Sequence, residues 1–212
     1  MTTYIVDTET CGFSVPEHGH AIVQLAFIAI DEAGERIREF CSLIKPDVEV
    51  EPGAFAVHGI SADACEGSPK IPEVWSEPDV FIAYNAKFDA RHLKVQRATV
   101  VDVLSLARRY VRDVENYKLA TVAAHFGIDP GKSHDALDDC LTTLAVLKEI
   151  EKLSERSLSD LISTPSQNVH LMTFGKHKGV PVAMLPPDYA KFLLSLPDLD
   201  PDLRKTLEMI HV

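Results

Sequence analysis

The stretch Tyr4-Ile5-Val6-Asp7-Thr8-Glu9-Thr10 decides how the rest of the chain is read. An apolar run leads into two carboxylates spaced i, i+2. In an extended strand successive side chains alternate faces, so Asp7 and Glu9 point the same way. Two like charges on one face repel, and folding gains nothing from placing them together. A hard divalent cation would turn that repulsion into attraction, because such ions take carboxylate oxygens. A strand end running into a polar turn accounts for the same residues. The two readings separate on whether the chain supplies matching carboxylates and a base.

Outward from Tyr4–Val6, the first strand, Gly12 to Gly19 reads as a loop. Ala21–Ile30 is an apolar, β-branched segment and predicts a buried strand. Asp31-Glu32-Ala33-Gly34 is a hairpin turn into a third strand, Glu35–Ile44, with Ile37, Phe40 and Leu43 inward. Pro52 suits the first turn of a helix over Gly53–His58, closed by Gly59. Ser61 caps a turn over Ala62–Glu66. Pro69, Pro72 and Pro78 keep the next stretch irregular. Val80–Tyr84 is a continuous apolar run of strand length. A helix follows over Ala86–Gln96, then a short strand over Thr99–Val101. Further helices are predicted from the Asp102 cap to Arg112, over Lys118–Phe126, and over Asp135–Leu153. Strands first, then alternating strand and helix, indicate an α/β sheet flanked by helices on both faces.

Residues 1–153 form the expected main domain. Residues 154–168, rich in Ser, Thr and Pro with scattered Leu, read as a linker with room for one helical turn. Residues 169–212 read as a small C-terminal module, with a hairpin over His170–Val182 and short helices over Asp188–Ser195 and Asp200–His211. The 212 residues suit one ordinary domain and an appendage. At 46% hydrophobic and 25% charged, the composition is globular. No apolar run reaches the roughly 20 residues of a membrane span, and the N-terminus lacks a secretory pattern. The four scattered cysteines, Cys11, Cys41, Cys65 and Cys140, fit reduced thiols in a cytoplasmic protein. A net charge of −11 argues against a surface coated with basic residues for nucleic acid. From Ser166 onward five basic residues balance five acidic ones, so the N-terminal part carries the whole deficit.

Matching carboxylates are present. Asp89 follows the Val80–Tyr84 strand in the first turn of a helix, and ligands of open α/β folds gather at carboxyl ends of strands. A helix-start carboxylate favoured by the dipole is the alternative for Asp89. On a wheel of about 100° per residue, Leu137, Cys140, Leu141, Leu144 and Leu147 form the apolar face of the last long helix. Asp139 lies on the flank of that face. Asp138 shares a sector with Thr142 and Glu149 and reads as a solvated charge. A half-buried Asp needs a metal or a donor. His134 precedes the helix and, beside four carboxylates, is a candidate base.

Asp7-Thr8-Glu9-Thr10, Asn85-Ala86-Lys87-Phe88-Asp89 and His134-Asp135-Ala136-Leu137-Asp138-Asp139 resemble, in the same order, the three exonuclease motifs of the DEDDh exonuclease family. The resemblance covers residues 1 to about 153, and His134 marks the histidine branch. Asp7 to Gly12, the compact spacing, Leu106-Ala107-Arg108-Arg109 and the tail from Thr173 to Tyr189 narrow it to one bacterial branch. The family pattern often has His before the Asn of the second motif, where this chain has Tyr84.

The resemblance implies an RNase H-like fold, with a three-strand meander followed by parallel strands. It implies a 3′-5′ exonuclease that releases nucleoside monophosphates from DNA 3′ ends, single-stranded or frayed, in DNA repair. It also implies two Mg²⁺ or Mn²⁺ ions held by Asp7, Glu9, Asp89 and Asp139, with His134 as general base. Thr8, Thr10, Asn85 and Phe88 are then substrate-side residues. His58, in Val57-His58-Gly59-Ile60, lines the site near the terminal nucleotide or simply ends a helix before a glycine cap. In the tail, Phe174, Lys176 and Lys178 are candidates for contacting a nucleic-acid strand by stacking and phosphate pairing; a solvated hairpin is the alternative. An RNase acting on RNA 3′ ends, a polymerase proofreading subunit and a catalytically silent binding module are the rival readings.

Overall fold

The structure, a computed structural model, describes residues 1–132, 134–163, 172, 175–177, 180, 182, 185–196, 199, 203, 204, 207 and 208. The chain divides into two compact units, Met1–Ser166 and Gln167–Val212.

The first unit is a five-stranded mixed sheet in the order β3-β2-β1-β4-β5, flanked by helices. The strands are β1 (Thr3–Thr10), β2 (Ile22–Ile30), β3 (Arg36–Leu43), β4 (Val80–Ala83) and β5 (Thr99–Asp102). β1 pairs antiparallel with β2 and parallel with β4, so it lies at the centre of the sheet. β2–β3 is antiparallel and β4–β5 parallel. Meander, parallel strands and flanking helices are the RNase H-like arrangement expected from the motifs.

Alternation along β1 sends side chains to two cores. Ile5 joins Ile28, Ile82, Val101 and the helices α4 (Val103–Tyr110), α5 (Leu119–His125) and α6 (Ala136–Ser154). Val6 joins Phe27, Phe81, Ile71 and Leu93 on the other face, with α2 (Ile71–Val74) and α3 (Ala86–His92). Each fully buried Ile or Phe in these layers contributes about 1.5–3 kcal/mol. Before them, α1 (Pro52–His58) starts on Pro52 and ends at Gly59, whose φ of 73° is the left-handed cap that glycine favours.

Two expectations are corrected. Ile37 points outward and is 68% exposed, because β3 is the edge strand and α6 lies over β1 and β2. α3 stops at His92 instead of Gln96, because the Glu77 carboxylate accepts the amide hydrogens of Gln96, Arg97 and Ala98 and turns the chain away. The stretch from 154 holds the helical turn for which the linker had room. Leu158–Ser163 forms α7, with Ser157 and Asp160 bonded across its first turn and Leu158 and Leu161 buried in the α6-side core.

In the second unit, α8 (Pro187–Leu194) packs Ala190 and Leu193 with Met172, Val182, Leu185, Leu199, Leu203 and Leu207. Of the expected helix over 200–211, Leu203, Arg204, Leu207 and Glu208 are described and helical, and the rest of it, with most of the hairpin over 170–182, lies outside the described residues. No helix among the described residues is long and apolar enough to cross a membrane.

Candidate active site

Ile5, Asp7 and Glu9 share one face of β1, and that face meets α6. Cys140 marks the crossing. Its Sγ lies 3.6 Å from the Ile5 carbonyl oxygen and 3.5 Å from that of Ala26. A small side chain at the crossing lets the helix approach the sheet closely, and one residue earlier Asp139 faces Glu9. A carboxylate oxygen of Glu9, one of Asp139 and a ring nitrogen of His134 lie within 4.8 Å of one another.

The start of α6 sets this geometry. Asp135 caps the helix, its carboxylate accepting the Leu137 amide at 3.2 Å. His134 precedes it in the left-handed region, φ 63°, with its side chain exposed. The Gln24 side-chain oxygen accepts the Ala136 amide at 3.1 Å, fastening the first helical residue to β2. Gln24 lies opposite Glu9 across the β1–β2 ladder. Sequence reasoning missed Gln24. Its only signal was a lone amide inside the apolar run Ile22–Ile30.

Asp89 arrives from α3. It is 3% exposed and accepts both the Thr8 amide at 3.1 Å and the Thr8 hydroxyl at 2.8 Å. Asn85, in the left-handed conformation at φ 66°, turns the chain from β4 into α3. Its side chain is exposed at this rim.

The electrostatics are those of crowded carboxylates, two buried and two half-buried. Burial raises Asp7 well above the carboxylate range, and Asp89, Asp139, Glu9 and Asp135 raise it further. Glu9 is pushed up from an ordinary 4.5 to about 7 by burial, then by Asp139 and Asp89. Burial raises Asp89 to about 7 against the opposing hydrogen bonds from Thr8. Burial also raises Asp139, while the charge and backbone amide of His134 act the other way. Two ionised carboxylates at the Glu9–Asp139 spacing repel by about 3–4 kcal/mol at an effective dielectric of about 20. Among the described residues, no Lys or Arg forms an ion pair with any of the four. Hard oxygen donors, mutually repelling and held together without a protein cation, fit a divalent metal.

The other expected substrate-side residues divide. Thr8 is committed to Asp89, and the Thr10 hydroxyl donates to the Gly12 carbonyl at 2.9 Å. His58 is buried, with both ring nitrogens engaged. Nε2 donates to the Thr10 carbonyl at 3.1 Å and Nδ1 accepts the Ile60 amide at 3.0 Å. His58 therefore braces the end of β1 and offers no free nitrogen to a nucleotide. Phe88 is half-buried and meets Phe13 edge to face at 6.2 Å. Phe13, 86% exposed, was missed by sequence reasoning; an apolar residue in a Gly- and Pro-rich loop was the available signal. Tyr84 donates to the Tyr117 carbonyl at 2.7 Å and so ties down the segment before α5. Phe174 and Lys178 lie outside the described residues. Lys176 is described in the second unit, exposed, its Nζ 5.3 Å from the centre of the Tyr189 ring.

A family model described as Exonuclease (RNase_T) matches residues 4–147. Exodeoxyribonuclease 10 of Escherichia coli K12 is 30% identical over 96% of each chain. The PolC-type DNA polymerase III of Thermotoga maritima is 28% identical over 76% of this chain but only 13% of its own length. Among solved structures, exonuclease X in complex with 5′ overhanging duplex DNA superposes with a TM-score of 0.63 at 27% identity, covering 76% of this chain and 99% of that one. Escherichia coli exonuclease I with a dT13 oligonucleotide shares the fold, with a TM-score of 0.66 at 17% identity over 95% of this chain and 61% of that one. The likeness to exonuclease X agrees with the bacterial branch indicated by Asp7–Gly12 and the Leu106–Arg109 stretch.

Proposed function

The chain belongs to the exonuclease family, and we propose that it is a metal-dependent 3′-5′ exodeoxyribonuclease that releases nucleoside monophosphates from DNA 3′ ends during repair. The observation that carries the mechanism is the convergence of Glu9, Asp139 and His134 within 4.8 Å beside the half-buried Asp7 and the buried Asp89.

In this reading Asp7, Glu9, Asp89 and Asp139 hold two Mg²⁺ or Mn²⁺ ions, which when bound supply Lewis acidity and neutralise charge on the phosphoryl group. His134 accepts a proton from water at a ring nitrogen. The water oxygen attacks the terminal phosphorus, the bond from phosphorus to the 3′ oxygen breaks, and that oxygen takes a proton from solvent water to leave the shortened strand with a 3′ hydroxyl. Asp139 stands beside His134 and stabilises the imidazolium that forms. Thr8 orients Asp89 through two hydrogen bonds. Phe13 and Phe88 offer aromatic surface for the terminal bases, where each stacked base contributes about 1–3 kcal/mol. Asn85 lines the rim from the second motif, and Lys176 adds a cation for the strand in the second unit.

Exodeoxyribonuclease 10 of Escherichia coli K12 matches 96% of this chain, and the solved exonuclease X is a complex with DNA. A proofreading subunit is less well supported, because the Thermotoga maritima polymerase matches 76% of this chain with only 13% of its own length. Turnover of 5′-labelled single-stranded DNA and of the matching RNA, with Mg²⁺, Mn²⁺ or chelator, tests the proposal. Shortening from the 3′ end only with metal, and faster on DNA, is the expected result. Metal-independent turnover, or preference for RNA, would overturn it.

A further inference from the structure

We infer that Asp138 is a positioning residue for the general base, a role that rests on the assignment of His134 to that task. The helical wheel made Asp138 a solvated surface charge. In the fold it is half-buried and turned back on the loop that delivers His134. Its Oδ2 accepts the Lys132 amide at 2.8 Å. Gly131, at φ 62°, passes so close that a Cβ there would lie 3.0 Å from the Asp138 carboxyl carbon and from Oδ2. The notch that receives the carboxylate therefore exists because residue 131 is glycine.

Thr142, one turn further along α6 and buried, makes a second arm. Its hydroxyl lies 3.2 Å from the Pro130 carbonyl oxygen and 2.8 Å from that of Asp138. The Asp135 amide donates to the Lys132 carbonyl at 3.2 Å. Pro130, Gly131 and Lys132 are thus held against the first two turns of the helix that carries Asp139. A carboxylate accepting a backbone amide is a strong, directional bond. The loop enters the site from a fixed start, and His134 is set beside Glu9 and Asp139 by the same helix end. Asp138 and Asp139, adjacent in sequence, divide the labour: one faces the chemistry, the other holds the loop that brings the base.

A helix-start carboxylate that only complements the dipole would affect stability and nothing else. Steady-state kinetics of the full chain on a 5′-labelled oligonucleotide at saturating metal separate the two roles. Asp138→Ala is expected to lower kcat by about 10–100-fold, the scale of a small misplacement of a catalytic group, with KM nearly unchanged. Asp138→Asn, which keeps an acceptor oxygen, should retain most of the turnover. Thr142→Val removes the second arm without changing charge, should lower kcat in the same direction, and carries the test if Asp138→Ala does not fold. In a His134→Ala background, Asp138→Ala should add no further loss. Wild-type kcat in Asp138→Ala, or losses that multiply in the double variant, would overturn the inference. Full turnover in His134→Ala alone would instead overturn the base assignment. Hydrogen exchange at the Lys132 amide then decides the latch by itself: faster exchange in Asp138→Ala supports it, and unchanged exchange refutes it.

Discussion

The side-chain oxygen of Gln24 and the backbone amide of Ala136, 112 residues apart in the chain, are joined by a buried 3.1 Å hydrogen bond. One partner lies opposite Glu9 on β2, and the other opens the helix that carries Asp139. The bond therefore holds the two walls of the carboxylate cluster in register. Gln24→Leu leaves a buried amide of α6 without its acceptor. It should lower stability by about 1–3 kcal/mol and reduce kcat at saturating metal. Gln24→Glu restores the acceptor and should recover most of the kcat. Chemical denaturation and steady-state kinetics on the same preparations check both, and full activity in Gln24→Leu would sink the argument.

Asp7 combines function with instability. Asp7→Asn removes one charge from the cluster, so it should raise the metal-free Tm, with relief of about 1 kcal/mol or more. The same substitution should cut turnover at least about 10²–10³-fold, the scale for losing one preorganised electrostatic group. A lower Tm in chelator, or near-normal turnover, would show that Asp7 is not a repelling ligand.

The pH dependence of the metal-free protein has a definite sign. Glu9 rises from 4.5 to about 7 and Asp89 from 3.8 to about 7, so the folded state binds more protons than the unfolded state between those limits. Stability then falls as pH rises through that window and levels off above about 7. Divalent metal competes with those protons, so the rise in Tm on adding Mg²⁺ or Mn²⁺ should be larger at pH 8 than at pH 5. Thermal melts across that range measure it. A metal-free Tm that climbs from pH 4.5 to 7 would contradict the cluster.

Phe13 stands exposed against the edge of Phe88 at the rim of the site. Phe13→Ala should weaken binding of single-stranded DNA by about 1–3 kcal/mol. The loss should appear in KM and leave metal titration unchanged. Phe13→Trp should preserve binding. Fluorescence anisotropy with Ca²⁺ in place of Mg²⁺ gives the affinities directly.

A chain ending at Ser166 keeps the first unit, including α7. If the second unit contacts DNA through Lys176, the truncated chain should bind more weakly and show a shallower dependence of log affinity on log salt. Identical slopes in the two chains would leave the second unit with another task.

The five motif residues were legible because their signals are local. A period of two put Asp7 and Glu9 on one face, and a helical wheel separated Asp139 from Asp138. What stayed hidden depends on partners far along the chain. The end of α3 is set by Glu77, which lies before the strand that precedes that helix. Ile37 faces solvent because of where its strand sits in the sheet. Thr10 and His58 looked available to a nucleotide but are bonded to Gly12, Thr10 and Ile60. Gln24 acquires its role only when β2 and α6 meet.

The central place of β1 has a further consequence. Strands paired on both sides are among the last parts of a protein to open, while surface loops open readily. Asp7 and Glu9 continue that strand past Ile5, where the pairing with β4 ends and the ladder to β2 carries on alone, and Phe13 and His134 sit on loops. The two carboxylates are thus better shielded from local breathing than the lips of the site. Sequence change in those loops can retune which strand end is accepted without disturbing the spacing of the carboxylates.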